Sequence, residues 1–199
     1  MRLLPYLPMI AIMGTSPAFA QPADPAQAPI RALDDALLGI MRSGKAAGIK
    51  ARAAAIAPAI DRTFDLPLMT RLTIGPAWTG IASADQTALV AAFRRMTISQ
   101  YAANFDSFSG QRFQLDPKVD ARGGDRLVRT TLIDPGSAPV AISYRMRQSG
   151  GAWKAIDVFY RDSISQLATR RSDFAGVLAS GGAKALVTHL DGIAAKAGG

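Results

Sequence analysis

Apolar and polar residues alternate along most of the second half of the chain, as they do in strands that have one dry and one wet face. Four such runs predict strands over residues 112–119, 125–133, 140–147 and 153–160. Short turn sequences that contain glycine separate the runs, at residues 122–124, 134–136 and 149–151. Because short turns join antiparallel neighbours, the pattern predicts an antiparallel meander.

The same alternation predicts which side chains share a face. In the third strand, Ile142, Tyr144 and Met146 are expected on the dry face. In the fourth strand, one face is expected to carry alternate residues from the tryptophan onward, namely Trp153, Ala155, Asp157 and Phe159. Beyond this strand, Ser165 is expected to cap a helix that ends at Gly181-Gly182, and a last helix follows from residue 183.

A period of three to four residues replaces the alternation in the first half, and it predicts helices. Two helices are expected around a break at Gly44 and Gly48, and a short one is expected to start at Asp65 or Pro67. The longest helix, over residues 84–108, is expected to begin at a capping box of Ser83 and Gln86. The inward residues of these helices are Leu33, Leu37, Ile40, Met41, Ile49, Ala53, Ile56, Ile60, Leu89, Phe93, Met96, Tyr101, Phe105 and Phe108.

These elements predict one α+β domain over residues 31–196. A curved antiparallel sheet of about four strands would be covered by N- and C-terminal helices that enclose an apolar cleft. From the residues alone, the space between helices and sheet can be a solid core or an open cleft, and an aromatic helix stripe is more often core.

The first twenty residues read as a secretory leader. Arg2 precedes an apolar run, and Ala18-Phe19-Ala20 is a small-x-small cleavage site. The run is short for a membrane span, although an uncleaved anchor is the alternative. Residues 21–30 are expected to be a disordered Pro/Ala linker. The chain has no cysteine, which excludes disulfides and a lipoprotein anchor. We therefore expect an exported, periplasmic protein, cleaved after Ala20.

The formal net charge is +8, and loss of Arg2 with the leader would make it +7. Basic proteins often bind nucleic acid, but export and the dispersed arginines argue against that here. A basic exterior also suits anionic membrane surfaces and acidic protein partners.

Catalytic chemistry is scarce. His189 is the only histidine, so neither a histidine-rich metal site nor a cofactor is expected. Ser163 and Ser165 lack the G-x-S-x-G surroundings of a nucleophile elbow. Asp157 is either a general base, paired with Tyr144 or Tyr101 in a small α+β-cone enzyme or ligand binder, or a salt-bridge partner of Arg145.

Several motifs resemble one known family. The order is a strand containing Trp153 and Asp157, then the run ISQLATRRSDF over residues 164–174, then two glycines and a helix. This order resembles the MlaC (toluene-tolerance) family of periplasmic phospholipid-binding proteins, and most of all its hopanoid-associated HpnM branch. Phe64-Asp65 and the spaced Leu72, Gly75 and Trp78 extend the resemblance upstream. Where the family usually has a glycine after the strand, this chain has Asp162.

The resemblance implies a non-enzymatic carrier that holds acyl chains in the cleft, with the lipid head group near the mouth. It would exchange phospholipid, or a hopanoid-related lipid, between an inner-membrane MCE/ABC transporter complex and an outer-membrane lipoprotein complex. A purely structural adaptor is a third possibility. Arg170 and Arg171 are the expected head-group residues, unless they are simply solvated or paired with Asp173. The expected pocket lining is Trp78, Leu89, Phe93, Met96, Tyr101, Phe105, Val128, Ile142, Tyr144, Met146, Trp153 and Phe159.

Overall fold

The computed structural model describes residues 23–198, so the expected leader and its cleavage site lie outside the described residues. Four helices precede the sheet: α1 (Gln27–Ser43), α2 (Ile49–Thr63), α3 (Leu66–Ile74) and α4 (Ser83–Asn104). The strands follow as β1 (Arg112–Leu115), β2 (Asp120–Arg122), β3 (Asp125–Ile133), β4 (Val140–Ser149), β5 (Ala152–Tyr160) and β6 (Ile164–Ser165). Helix α5 (Gln166–Lys196) closes the chain. Between residues 23 and 198, no helix is both long and apolar enough to cross a bilayer.

The sheet is antiparallel throughout and has the order β1-β3-β4-β5-β6, with β2 paired to β3 beside β1. The predicted α+β class is therefore confirmed. The sheet has six strands rather than four, because two very short strands, β2 and β6, join it. The predicted first strand ends early, at Leu115, where the chain turns before β2 pairs again with β3.

A β-bulge in β5 changes which side chains share a face. Arg145 pairs with Asp157, but Met146 pairs with Ala155, so Ile156 is an extra residue without a partner across the ladder. Such an insertion moves every following side chain to the opposite face. The expected common face of Trp153, Ala155, Asp157 and Phe159 is therefore wrong. Ala155 faces the helices, whereas beyond the bulge it is Val158 that does so, opposite Tyr144.

Local sequence signals placed most helix ends. Asp65 and Ser165 cap α3 and α5 by accepting bonds from the amides of Leu68 and Ala168. Gly182, with φ of +66°, kinks α5 where the two glycines predicted a helix end. Helix α4 ends at Asn104, four residues earlier than expected, because Phe105 leaves helical geometry.

The predicted capping box at the start of α4 is wrong. Ala82 is the N-cap residue, and no side chain caps this helix end. The Gln86 amide instead donates to the carbonyls of Trp78 and Ile81, at 2.9 and 3.1 Å. Gln86 therefore fastens the preceding short helical turn (Gly75–Gly80) to α4, which leaves it unable to bond back to the helix start.

The expected disordered linker over residues 21–30 is ordered in its second part. Helix α1 begins at Gln27, Ala26 is fully buried, and Asp24 accepts a bond from the Ala26 amide at 2.9 Å. The Gln27 side chain donates to the Asp116 carbonyl at 2.7 Å. These contacts anchor the start of α1. The bond between Gln27 and Asp116 joins residues far apart in the sequence, so the proline- and alanine-rich composition of this segment did not reveal that its second part is ordered.

The helices cover one face of the sheet, and their predicted inward residues mostly form the core. Leu33, Leu37, Ile40, Ile56 and Ile60 are each 2% exposed or less. Two bidentate ion pairs hold α4 to its neighbours. Arg94 of α4 binds Asp61 of α2. Arg95 of α4 binds Asp191 of α5. The helical layer is thus held around α4, which packs on both flanking helices.

Candidate functional site

A cavity of about 680 Å³ lies between the inner face of the sheet and helices α4 and α5. It lies at one end of the sheet, where β3 and β5 finish and β4 begins. Most of its lining is apolar or aromatic, and the lining residues are Phe64, Met69, Met96, Thr97, Gln100, Tyr101, Asn104, Phe105, Leu132, Val140, Ile142, Tyr144, Val158, Tyr160, Gln166, Thr169, Arg170, Asp173, Phe174 and Ile193. A cleft of this size and chemistry suits an apolar ligand.

Aromatic side chains build the helical wall of the cavity. The rings of Tyr101 and Phe105 stack with their centroids 5.9 Å apart, and Phe64 lies 5.8 Å from Tyr101. Phe113 of β1 supports Phe105 from behind at 6.4 Å. Burial raises the pKa of Tyr101 to about 12 and that of Tyr144 well above its usual value. Both phenols therefore stay neutral, and this aromatic part of the wall carries no charge.

The polar residues of the lining come from the first turns of α5 and from the facing side of α4. The Arg170 guanidinium donates to the Gln100 side chain at 2.8 Å and lies 5.1 Å from the centre of the Phe93 ring. No carboxylate within residues 23–198 comes within 4.0 Å of it. Burial lowers the pKa of Arg170 from its usual value. A desolvated cation that has no ion-pair partner can bind an anionic group strongly.

Six of the fourteen residues expected at the site line the cavity: Met96, Tyr101, Phe105, Ile142, Tyr144 and Arg170. Four others are buried in the solid core, at 1% exposure or less: Leu89, Phe93, Val128 and Met146. The dry face of the sheet therefore serves two purposes. One end packs tightly against α1, α2 and α4, and only the other end is hollow.

The remaining four expected residues lie elsewhere. Phe159 faces away from the helices because of the bulge. Trp153 packs on the core at the far end of the sheet, under the Arg126 guanidinium at 5.4 Å. Trp78 packs against the core from the short turn before α4. Arg171 donates to the Leu72 carbonyl at 2.8 Å and lines a separate hollow of about 260 Å³ between α3 and α5.

Several lining residues were not anticipated from the sequence. Val158 and Tyr160 reach the cavity only because of the bulge, and Leu132 and Val140 do so because the β3–β4 turn borders the opening. Phe64 comes from the end of α2, where it bridges to Ala155 of β5. Val158 and Tyr160 are two positions apart in β5, so the alternating pattern did predict that they share a face, but it did not predict which face points to the helices.

Asp157 does not line the cavity, which removes the residue on which the enzymatic alternative depends. Its carboxylate accepts bonds from the Ser165 hydroxyl at 2.6 Å and the Leu167 amide at 3.0 Å. The expected salt bridge to Arg145 is also absent, since Arg145 pairs with Asp125 at 2.5 Å. Asp157 thus ties the start of α5 to β5. In residues 23–198, no cluster of three side chains could hold a metal ion.

Comparisons with known proteins agree with this architecture. The family model described as MlaC protein matches residues 31–192. The chain belongs to the MlaC family. A solved structure, the phospholipid-binding protein from Ralstonia solanacearum in complex with a phospholipid, is similar to this MlaC-family chain with a TM-score of 0.76 and 25% sequence identity. The match covers 88% of this chain and 100% of that one. No curated protein matches the chain.

A further buried carboxyl of this MlaC-family chain belongs to Asp34 of α1. It is 5% exposed, accepts a bond from the Thr130 hydroxyl at 2.9 Å, and its other oxygen has no hydrogen-bond partner within the described chain. Burial, the largest cause, raises the pKa of Asp34 to about 7. The ionised form is therefore disfavoured in the folded protein.

We predict that Asp34→Asn stabilises the protein above neutral pH. Because the folded pKa lies above the unfolded value of 3.8, the carboxyl costs nothing at low pH, and its cost grows between the unfolded pKa and the folded pKa of about 7 and stays constant above that. The expected gain at pH 8 is on the order of 4 kcal/mol, and it shrinks toward zero near pH 4. Urea unfolding of both proteins at the two pH values measures it. A difference that does not vary with pH would contradict the assignment.

Proposed function

We propose that this protein is a lipid carrier whose cavity holds acyl chains away from water. The observation that carries the proposal is the cavity itself, which is large, open at one end of the sheet, and walled by aromatic and aliphatic side chains. The similar solved structure from Ralstonia solanacearum is a phospholipid-binding protein in complex with a phospholipid. Phospholipid is therefore the ligand class that we propose for this chain.

The energetics of an exposed acyl chain explain why such a protein needs no catalytic residue. Each methylene in water costs ~0.8 kcal/mol, so one long chain exposed in transit costs on the order of 10 kcal/mol. A cavity that replaces bilayer contacts with protein contacts removes most of this cost, and no covalent bond has to form or break. The enzyme alternative lacks its residue, because Asp157 is engaged with the start of α5.

A carrier must release its lipid as readily as it takes it up, and the wall of the cavity suits this requirement. Met69 and Met96 contribute flexible side chains that can adapt to different chain positions. Apolar contacts are also non-directional, so an acyl chain can slide along them without breaking hydrogen bonds. The wall thus offers contacts that a second hydrophobic environment can replace at similar free energy.

Arg170 is the residue that we propose for the head group. Its guanidinium lies in the lining, it has no carboxylate partner between residues 23 and 198, and its neighbours Thr169 and Asp173 are exposed at the opening. A lipid phosphate bound there would replace the missing counter-charge with charge-assisted hydrogen bonds. The neighbouring Arg171 is instead bound to a backbone carbonyl outside the cavity.

The route of transport is a further part of the proposal. The leader-like first twenty residues support export to the periplasm, and a carrier there would move lipid between membrane complexes. We propose an inner-membrane MCE/ABC transporter complex and an outer-membrane lipoprotein complex as its partners. Phospholipid or a hopanoid-related lipid is the proposed cargo.

Lipid bound at purification tests the central proposal. Val158→Trp should narrow the cavity and lower the lipid-bound fraction at least tenfold, as measured by native mass spectrometry and organic extraction. Phe159→Trp is the matched control, since the adjacent residue of β5 points to the other face and should leave lipid content unchanged. An empty wild-type protein, or equal loss in both variants, would contradict the proposal.

Substitution of Arg170 should weaken lipid binding without lowering the stability of the fold. Arg170→Met is expected to weaken phospholipid binding ~10- to 100-fold, which corresponds to the loss of charge-assisted bonds worth ~1.5–3 kcal/mol. The lipid-free protein should be no less stable, because the variant no longer buries an unpaired charge. Competition with a fluorescent phospholipid measures the affinity. Arg171→Met is the control, and a similar loss in that variant would argue against a specific role for Arg170.

A further inference from the structure

Large apolar side chains that remain exposed are concentrated around one opening of the molecule. In the part of the chain that the structure describes, they are Phe108, Tyr160 and Ile164, with exposures of 41%, 40% and 49%. Tyr160 lines the cavity, and Ile164 pairs with it across the β5–β6 turn. Phe108 follows Phe105, which also lines the cavity, by three residues. Exposed apolar groups grouped at the mouth of a cavity indicate an interaction surface.

The loop that carries Phe108 is packed against the same end of the sheet. Gly110 lies against Pro135 of the β3–β4 turn, with 3.4 Å between the position that a β-carbon would take and Pro135 Cγ. That turn lies between Leu132 and Val140, both of which line the cavity. The loop after α4 and the two turns of the sheet therefore surround one opening.

Two arginines accompany the exposed aromatic rings. Arg42 Cζ lies 5.2 Å from the centre of the Phe108 ring, and Arg161 Cζ lies 5.4 Å from that of Tyr160. Across residues 23–198, neither guanidinium comes within 4.0 Å of a carboxylate. We call Arg42, Phe108, Tyr160, Arg161 and Ile164 the rim surface. It combines apolar side chains with cations that have no ion-pair partner.

Three acidic side chains near the rim surface bond to groups other than its two arginines. Asp106 pairs with Lys45 at 3.6 Å, Asp162 accepts a bond from the Ser143 hydroxyl, and Asp134 accepts one from the Gly136 amide at 3.2 Å. Within residues 23–198 none of these carboxylates lies within 4.0 Å of Arg42 or Arg161, so both guanidinium groups can still reach an anionic partner. The net charge of +8 for the whole chain adds a weaker, long-range attraction of the same sign.

The β5–β6 turn is held in a backbone conformation that ordinary residues avoid. Arg161 and Asp162 have φ values of +52° and +56°, although neither is glycine. The Asp162 bond to Ser143 and the Arg161 amide bond to the Ala141 carbonyl, at 2.8 Å, fix this shape. Strained backbone held by specific contacts is common at functional sites. Here it presents Arg161 beside Tyr160 at the opening.

We propose that the rim surface docks the protein onto an anionic lipid bilayer, so that lipid passes directly between the membrane and the cavity. Aromatic and aliphatic side chains favour the interfacial layer, while guanidinium groups remain at the level of the lipid phosphates. Because the cavity opens inside this surface, a docked molecule would shield a lipid tail from water during its entry. The inference rests on the proposed lipid-carrier function.

Vesicle flotation tests the docking. The full chain is mixed with vesicles of phosphatidylethanolamine and phosphatidylglycerol, and in parallel with vesicles of phosphatidylcholine alone. The anionic vesicles should carry the protein to the top of the gradient. Recovery should fall as salt is added, because the guanidinium contribution is screened. Little recovery is expected with phosphatidylcholine vesicles.

Paired variants separate the apolar from the charged contribution. Phe108→Ser with Ile164→Ser should lower binding ~10-fold or more, because two large side chains no longer enter the interface. Arg42→Gln with Arg161→Gln should lower binding to anionic vesicles about 25-fold at low salt. Arg62→Gln with Arg71→Gln removes two exposed charges elsewhere and should change recovery far less. All variants keep the same first twenty residues, so any binding through those is common to them.

Lipid content distinguishes failure of docking from failure of the carrier function. Native mass spectrometry should show the same bound lipid in all these variants, because none of the substituted residues lines the cavity. Two results would overturn the docking proposal alone: lipid-loaded wild-type protein that floats with neither type of vesicle, and rim variants that float as well as the wild type does. In the first case, the rim surface would be a protein contact. An empty wild-type protein would instead overturn the carrier function.

Discussion

The register change in β5 is the constraint on which the interior of this protein depends. Before Ile156, the inner face of the strand carries Ala155, a small residue that lets the end of α2 approach closely. After it, Val158 and Tyr160 face the helices but are not covered by them. A single inserted residue thus separates a packed half of the sheet from a hollow half.

The packed half stabilises the fold, and the hollow half is what distinguishes it from an ordinary α+β domain. Helices α1 and α2 lie over the first part, where apolar side chains are almost fully buried. Helix α5 begins at the other part and is tied to β5 through Asp157 and Ser165. Beyond this tied start, the cavity lies between α5 and the inner face of the sheet. Phe174 lines that space and also borders the smaller hollow beside α3.

Charge is distributed to match this division. The arginines of α4 are neutralised by bidentate partners on α2 and α5, and those of the outer sheet face surround Asp125. Arg170 differs, because it is half-buried in the cavity lining and no carboxylate of residues 23–198 comes within 4.0 Å of it. Such an arrangement is costly for the lipid-free protein, and it becomes favourable when an anion is bound. This arrangement supports the proposal that the ligand is amphipathic rather than purely apolar.

Local sequence by itself determined the α+β class, most helix faces, the caps at Asp65 and Ser165, and the break at Gly182. These features depend on side-chain periodicity and backbone preference over a few residues. Only the tertiary structure decided the bulge at Ile156, the division between core and cavity, and the isolation of Arg170. Register depends on the partner strand, and a void depends on how far apart whole elements are held, so neither is encoded in any short stretch.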